Sequence, residues 1–498
     1  MSSAAWASRE GGRPLVSVIV PTYNRAELLR LTIESVLAQR WQPLELIVVD
    51  DGSRDGTPAL LRSYGDRLRV IRQDNAGGTA ARNAGTRAAR GAYLNWLDHD
   101  DLMHPDKIAR QLAVFRAHPA LGLVHCGYER IDREGRVLER ITGLPEGDVR
   151  ARLVCGCFVW SGAPLVRREV IEQVGLFDET VWSSDADLWL RIALAGWHWG
   201  CVQEPLGQYR ILPDSTMADV ARTERLDMAI LDRVFADPRL PAAARANRHE
   251  AYFNQRFWLA TRYYTIGDWE AAGRNLREAF RWKPELLDEA DELVAYFGGA
   301  AMDPRVDDPL RFVDGVLAHL PPEAAAMVAL SERLRSHVAL RLALRAYAHG
   351  AVAEGRAAVD AAVRIDPGLL DRPSELAAAL AESARRLPVV LEPYVATVFA
   401  HLPDSAAVLR PHRRAFLGHI LLAAAARAWG QGQRSTALRD LVRALRCHPR
   451  LGAELLRRLR RRGRRVARRS AVALLGEPQI DRLVAMLRGR EALPLVRP

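Results

Sequence analysis

Leu15-Val-Ser-Val-Ile-Val20 is a short β-branched run that ends at Pro21-Thr-Tyr-Asn24, which predicts a buried strand feeding a loop. Over 27–39 the apolar period changes, and Leu28, Leu29, Ile33, Val36 and Leu37 fall along one helical face. Leu44-Glu-Leu-Ile-Val-Val49 returns to strand character, so the chain opens β-α-β. The alternation continues through Leu68-Arg-Val-Ile71, a helix over 79–89 and the strand Ala92-Tyr-Leu-Asn-Trp-Leu97. Pro105 then fits the first turn of a helix running to about 117, where its missing donor does no harm. This pattern predicts an α/β fold with a mostly parallel sheet. From 218 onward strand signals fade and Ala, Leu and Arg dominate, predicting a mainly α-helical region.

Two of the predicted strands run directly into acidic loops, Asp50-Asp-Gly-Ser-Arg-Asp-Gly-Thr57 and Asp98-His-Asp-Asp101. In a parallel sheet the C-terminal strand ends share one edge, so these loops are expected to converge. Asp98, Asp100 and Asp101 would repel one another in an apolar cleft unless a cation or hydrogen-bond donors compensate them. Magnesium or manganese meets that need, because a hard ion takes oxygen ligands and bridges a carboxylate to substrate phosphates. A solvated turn with a helix-capping Asp is the alternative reading.

Four ordered segments carry a resemblance. Val16-Ser-Val-Ile-Val-Pro-Thr-Tyr-Asn-Arg25, Val48-Val-Asp-Asp-Gly-Ser-Arg-Asp-Gly-Thr57, Asn75-Ala-Gly-Gly-Thr-Ala-Ala-Arg-Asn-Ala-Gly85 and Leu97-Asp-His-Asp-Asp-Leu102 are similar to successive segments of the family 2 nucleotide-sugar glycosyltransferases, the last to their Asp-X-Asp motif. Gly175-Leu-Phe-Asp-Glu179 and Ser183-Ser-Asp-Ala-Asp-Leu-Trp-Leu-Arg191 resemble the acceptor-side region, with the usual Glu-Asp pair standing here as Ser184-Asp185. The resemblance covers about residues 14–213 and implies a GT-A-type nucleotide-binding sandwich.

It further implies that Asp51 contacts the nucleotide base, most often uracil, in a pocket shaped by Pro21 and Tyr23 with Asp50 beside it. Asp98 is implied near the ribose, and Asp100 as the ligand of magnesium or manganese at the diphosphate. Asp185 is implied as the general base that takes the acceptor hydroxyl proton in a direct, inverting displacement. Read without the family, Asp185 is a helix cap. Asp187 reads as a structural or acceptor-binding neighbour and Arg82 as a counter-charge to substrate phosphate. Arg210 reads as a surface charge or a carboxylate's partner, and His99 and His104 flank the metal loop without being needed as ligands. Trp182 is the candidate for stacking on an acceptor sugar, while Trp189, Trp197 and Trp199 serve either that groove or the core.

Beyond the resemblance, Gly267 to Pro284, Gly350 to Pro367 and Gly432 to Pro449 repeat one spacing, with Ala279, Ala362 and Ala444 each five residues before the proline. This looks like tetratricopeptide-type helical hairpins, with an irregular bundle as the alternative. The predicted organisation is a flexible N-terminus over 1–13, a catalytic domain over 14–217, a helical region over 218–450 and a basic helical segment over 451–498.

Composition refines this picture only in places. The net charge of +11 over 498 residues is modest, but residues 451–470 hold nine arginines and one glutamate. With its interspersed leucines that segment suits an anionic membrane surface, and a solvated basic helix is the alternative. No aromatic interleaving supports nucleic-acid binding. Five cysteines in 498 residues predict reduced thiols rather than a disulfide scaffold, and Cys155-Gly-Cys157 is too closely paired for a zinc site. With neither a signal peptide nor a membrane span in the pattern, the expected location is cytoplasmic, peripheral at the inner face of the membrane.

The resulting expectation is a metal-dependent glycosyltransferase using a nucleotide-linked, most often UDP-linked, sugar and a glycan or lipid-linked acceptor in bacterial cell-surface polysaccharide synthesis. A protein partner on the helical region is a further expectation. A nucleotidyltransferase acting on a sugar phosphate and a noncatalytic helical adaptor are the alternatives.

Overall fold

The computed structural model describes residues 12–181, 184–212, 219–430 and 434–448. Trp182, Gly432, Pro449 and the basic segment from 451 lie outside them. The chain forms two compact units. One runs to Val338 and includes Arg386–Pro388; the other holds Ala339–Arg385 and the chain from Val389.

The first unit is built on a nine-stranded sheet. Its strands are β1 (Val16–Thr22), β2 (Leu44–Asp50), β3 (Arg69–Arg72), β4 (Tyr93–Trp96), β5 (Leu102–Met103), β6 (Leu123–Ile131), β7 (Val137–Ile141), β8 (Leu165–Arg167) and β9 (Trp199–Arg210). The order is β3-β2-β1-β4-β8-β6-β9-β5, with β7 on β6. The expected sheet flanked by helices is present, but the expectation of a mostly parallel sheet is overturned. β3, β2, β1 and β4 are mutually parallel, as is β6 with β9, whereas β8 runs antiparallel to β4 and β6, β7 to β6, and β5 to β9.

The cause lies in the connections. Parallel neighbours need a long crossover, which the helices between β1 and β4 supply. Beyond them, a tight turn joins β6 directly to β7, closed by the Arg136 amide donating to Asp132 Oδ1 at 2.8 Å and by Gly135 at φ +87°. β8 is three residues long, too short to leave a periodic signal.

The helix Ala26–Leu37 buries Leu28, Leu29, Ile33 and Val36, the face its spacing predicted. The helix Gly78–Ala88 lies so close to the sheet that a Cβ on Gly85 would overlap Ile19 and crowd Val49. Trp96, buried beneath it, donates to Thr86 Oγ1 at 2.8 Å and meets Phe177 edge-on at 5.0 Å.

Helices complete this unit. Arg248–Ile266 ends at Gly267, whose left-handed φ of +78° reverses the chain into Trp269–Trp282, capped by Asp268 accepting from the Ala271 amide at 3.0 Å. In the second unit Gly350, at φ +79°, separates the helix that ends at Ala348 from Val352–Ile365. The first two copies of the repeated spacing therefore mark turns between helices, and Ala279, Ala362 and Ala444 are all fully buried where a larger side chain would hold the helices apart. Among the described residues no helix is long and apolar enough to cross a membrane.

Candidate active site

Parallel pairing brings the two acidic loops to one sheet edge. Thr22 stands opposite Asp50, Ile19 opposite Trp96, and His99 Nδ1 is 3.3 Å from the Pro21 carbonyl oxygen. In the first loop the carboxylates are engaged. Asp50 accepts from the Ser53 amide at 2.8 Å and pairs with Arg72 at 3.2 Å. Asp51 accepts from Gln73 Nε2 (2.8 Å) and the amides of Ala76 (2.9 Å) and Gly77 (2.8 Å), fixing the loop that starts the helix Gly78–Ala88. Pro21 is buried beside them, and Tyr23 is exposed at the mouth.

The second loop divides its carboxylates. Asp98 pairs with Arg82 and accepts from Ser161 Oγ at 2.9 Å. Burial alone would raise its pKa, but the Arg82 charge and these hydrogen bonds outweigh it and hold the carboxyl below its ordinary value. Asp101 is fully buried, accepting from Trp160 Nε1 (2.6 Å) and the Arg210 amide (2.9 Å). Burial and the neighbouring Asp100 and Asp98 charges push its pKa well up. Arg210 clamps the loop instead of pairing with a carboxylate, donating to the carbonyls of Asp100 (2.9 Å), Asp132 (2.8 Å) and Arg133 (2.7 Å).

Asp100 is the exception. Its carboxylate has no salt bridge among the described residues, and burial raises its pKa, with the His99 charge opposing and Asp98 adding. A half-buried carboxylate of this kind is open to an outside cation. No group of three or more His, Cys, Asp or Glu among the described residues could hold a metal alone. The donor set therefore fits a hard ion held by one carboxylate and completed by diphosphate oxygens and water.

Asp185 begins the helix Ser184–Leu194, where it accepts from the Ala186 amide at 2.9 Å. Ser184, in the place of the usual glutamate, is buried and hydrogen-bonds Thr79 Oγ1 at 3.0 Å, tying this helix to the one that carries Arg82. Burial raises the Asp185 pKa; the Arg82 charge opposes and Asp98 adds. Arg82, Asp98 and Asp185 line one cleft of about 630 Å³. Arg82 Nε is buried in its wall without a hydrogen-bond partner among the described residues, a donor left for an anion. Asp100, Asp51, Pro21 and Tyr23 belong to the adjoining strand edge and do not line the cleft.

Asp187 does not line it either. Fully buried, it accepts from Arg191 Nε at 2.8 Å and pairs with Arg233, fastening this helix to Val220–Ala236. Trp189 and Trp199 are core residues, and Trp197 donates to Gln173 at 2.8 Å. Trp182 is outside the described residues. His104 accepts from the Asp106 amide at 3.2 Å. Sequence reasoning missed Ser161 and Trp160, which hold Asp98 and Asp101, and also Arg130, Trp258 and Arg305, which line the far end of the cleft. They come from segments without a motif, and only folding gathers them.

Comparison with known proteins gives a consistent picture. Residues 17–175 match the sequence family described as Glycosyl transferase family 2. RP339, an uncharacterized glycosyltransferase of Rickettsia prowazekii, is 34% identical over 185 residues, 36% of this chain and 58% of that relative. The putative teichuronic acid biosynthesis glycosyltransferase TuaG of Bacillus subtilis is 31% identical over 211 residues, 41% of this chain and 81% of its own length. Among solved structures, the mannosyltransferase PcManGT of Pyrobaculum calidifontis, in complex with GDP-Man and Mn2+, aligns with a TM-score of 0.42 and 20% identity over 64% of this chain and 87% of that one.

Proposed function

This chain belongs to glycosyl transferase family 2, and on that premise we propose that it transfers a sugar from a nucleotide-diphosphate donor to an acceptor hydroxyl with inversion at the anomeric carbon. One observation carries the reading: Arg82, bound to Asp98, shares a cleft with the half-buried Asp185, at a sheet edge where Asp100 has no salt bridge among the described residues.

The nucleotide lies along the strand edge, its base between Pro21, Tyr23 and Asp51, with Asp50 bracing that loop and Asp98 near the ribose. Arg82 turns its unused donor to the diphosphate. Asp100 would hold magnesium or manganese, which when bound neutralises charge developing on the departing diphosphate. Asp185 accepts the acceptor's hydroxyl proton as that oxygen attacks. Its raised pKa makes it a stronger base than an exposed aspartate. The name of TuaG supports a cell-surface polysaccharide as the product.

UDP is the proposed nucleotide, and a glycan or lipid-linked glycan the acceptor. The helical hairpins are read as tetratricopeptide-like repeats that offer a protein-binding surface, and residues 451–470 as a contact to the anionic cytoplasmic face of the membrane.

A panel of UDP-sugars with magnesium or manganese and lipid-linked acceptors tests the reading, with nucleotide release and product anomer as readouts. Transfer should require the metal and be lost in Asp100→Asn and Asp185→Asn. Full transfer by either variant removes that residue's assigned role.

A further inference from the structure

Past Asp98 and Arg82 the cleft continues into a region that the donor chemistry does not use. Trp160 connects the two: its indole donates to Asp101, and its ring stacks on Tyr209 at 6.4 Å and tilts against Tyr128 at 5.8 Å. Arg130 of β6 stands opposite Tyr209 of β9 and Glu139 of β7 in strand register, and pairs with Glu139 at 3.0 Å. Arg305 reaches the same wall from the segment after the helix Ala290–Ala301, held by Asp303 through two hydrogen bonds of 2.8 Å.

Arg262 lies one turn beyond Trp258 on the helix Arg248–Ile266. It is half-buried and forms no ion pair among the described residues; burial and the nearby Arg305 charge both lower its pKa. Glu139 pairs with both Arg130 and Arg386 and Asp303 with Arg305, so these two carboxylates stand among four guanidinium groups, Arg262 included. The Nε atoms of Arg130 and Arg262 are buried without hydrogen-bond partners among the described residues. A cationic surplus with unused donors is costly in a partly buried wall unless an anion joins it. Guanidinium forks match phosphate and carboxylate, and the flanking aromatic faces match sugar rings.

We propose that this end of the cleft is an acceptor subsite binding an oxyanion, a phosphate or carboxylate carried by the acceptor glycan, through Arg130 and Arg305, with Arg262 adding to the local positive charge. The proposal rests on the transferase reading of the same cleft and deepens it: the acceptor is anionic, and the arginines hold its charge while Asp185 meets its hydroxyl.

Calorimetry on the full chain saturated with UDP and magnesium tests this, using glucose 6-phosphate, glucuronate and glucose as probes. Titration of UDP alone reports separately on the donor reading, so its failure is distinguishable from failure of the subsite. One or both anionic probes should bind at least about tenfold more tightly than glucose, the scale of a charge-assisted hydrogen bond. The preferred probe tells phosphate from carboxylate. Arg130→Gln and Arg305→Gln should each erase most of that preference. Arg305→Gln strands Asp303 and could impair folding, so Arg262→Gln, which strands no carboxylate, serves as a second variant with an expected loss of about threefold. Equal binding of glucose and both anions, or a preference that survives in Arg130→Gln and Arg262→Gln, overturns the proposal.

Discussion

The two acidic loops follow β2 and β4, parallel strands on either side of β1, and carry similar residues, yet their carboxylates differ in what they hold. In the first, Asp50 and Asp51 are buried and hydrogen-bonded to loop amides, so their charge is used to shape the edge. In the second, Asp101 is likewise enclosed and Asp98 is paired, but Asp100 has no salt bridge among the described residues. The contrast teaches that a carboxylate's role follows from what remains unsatisfied around it. Engaged oxygens stabilise structure, and an uncompensated one is available to a ligand.

The largest effect that would separate the loops is expected from Asp100→Asn. Loss of the ion's ligand should lower transfer by about a thousandfold or more, since a bound metal supplies several kcal/mol of charge stabilisation. The same variant should match or exceed the wild type in thermal stability at neutral pH. A folded-state pKa above the unfolded value means the ionised form is disfavoured by folding, a cost the neutral amide lacks. A clear drop in melting temperature would remove the contrast with Asp51.

Asp185→Asn should reduce turnover by about a hundredfold to a thousandfold, the scale of a lost general base, with donor KM little changed. Asp51→Ala should cost about 1–3 kcal/mol in denaturant unfolding, because the Gln73 side chain and two loop amides lose their acceptor. Preserved stability there would mean that the first loop is not braced as described.

The smallest expected effect is in the pH profile. Because the Asp185 pKa is raised, kcat/KM should fall as pH drops through a limb lying above the ordinary aspartate value of about 3.9. Arg82→Gln removes the charge that lowers this pKa and should move the limb upward; Asp98→Asn removes one that raises it and should move the limb downward. An unmoved limb in both variants would place the titrating base elsewhere.

Much of the first half was legible because its periods are local. The face of Leu28, Leu29, Ile33 and Val36 and the strand runs before each acidic loop are set by neighbours within a few residues. The direction of β8 was not legible, since three residues carry no period and their pairing with Leu94 and Leu123 is chosen by distant chain. Asp187 shows the same limit within the site. Two residues from Asp185 and equally acidic, it is drawn off by Arg233 of a helix some forty residues later.

By itself, then, the sequence determined the alternation up to β4, the acidic loops at one edge, the turns between helices at Gly267 and Gly350, and the family to which the chain belongs. Local periodicity and backbone conformation suffice for these. Only the tertiary structure decided the mixed sheet, which carboxylates are spent on structure, and the meeting of Arg130 and Arg305 with Trp160 in one cleft wall. Burial, hydrogen-bond satisfaction and the field of neighbouring charges depend on residues far apart in the chain, and they exist only once it has folded.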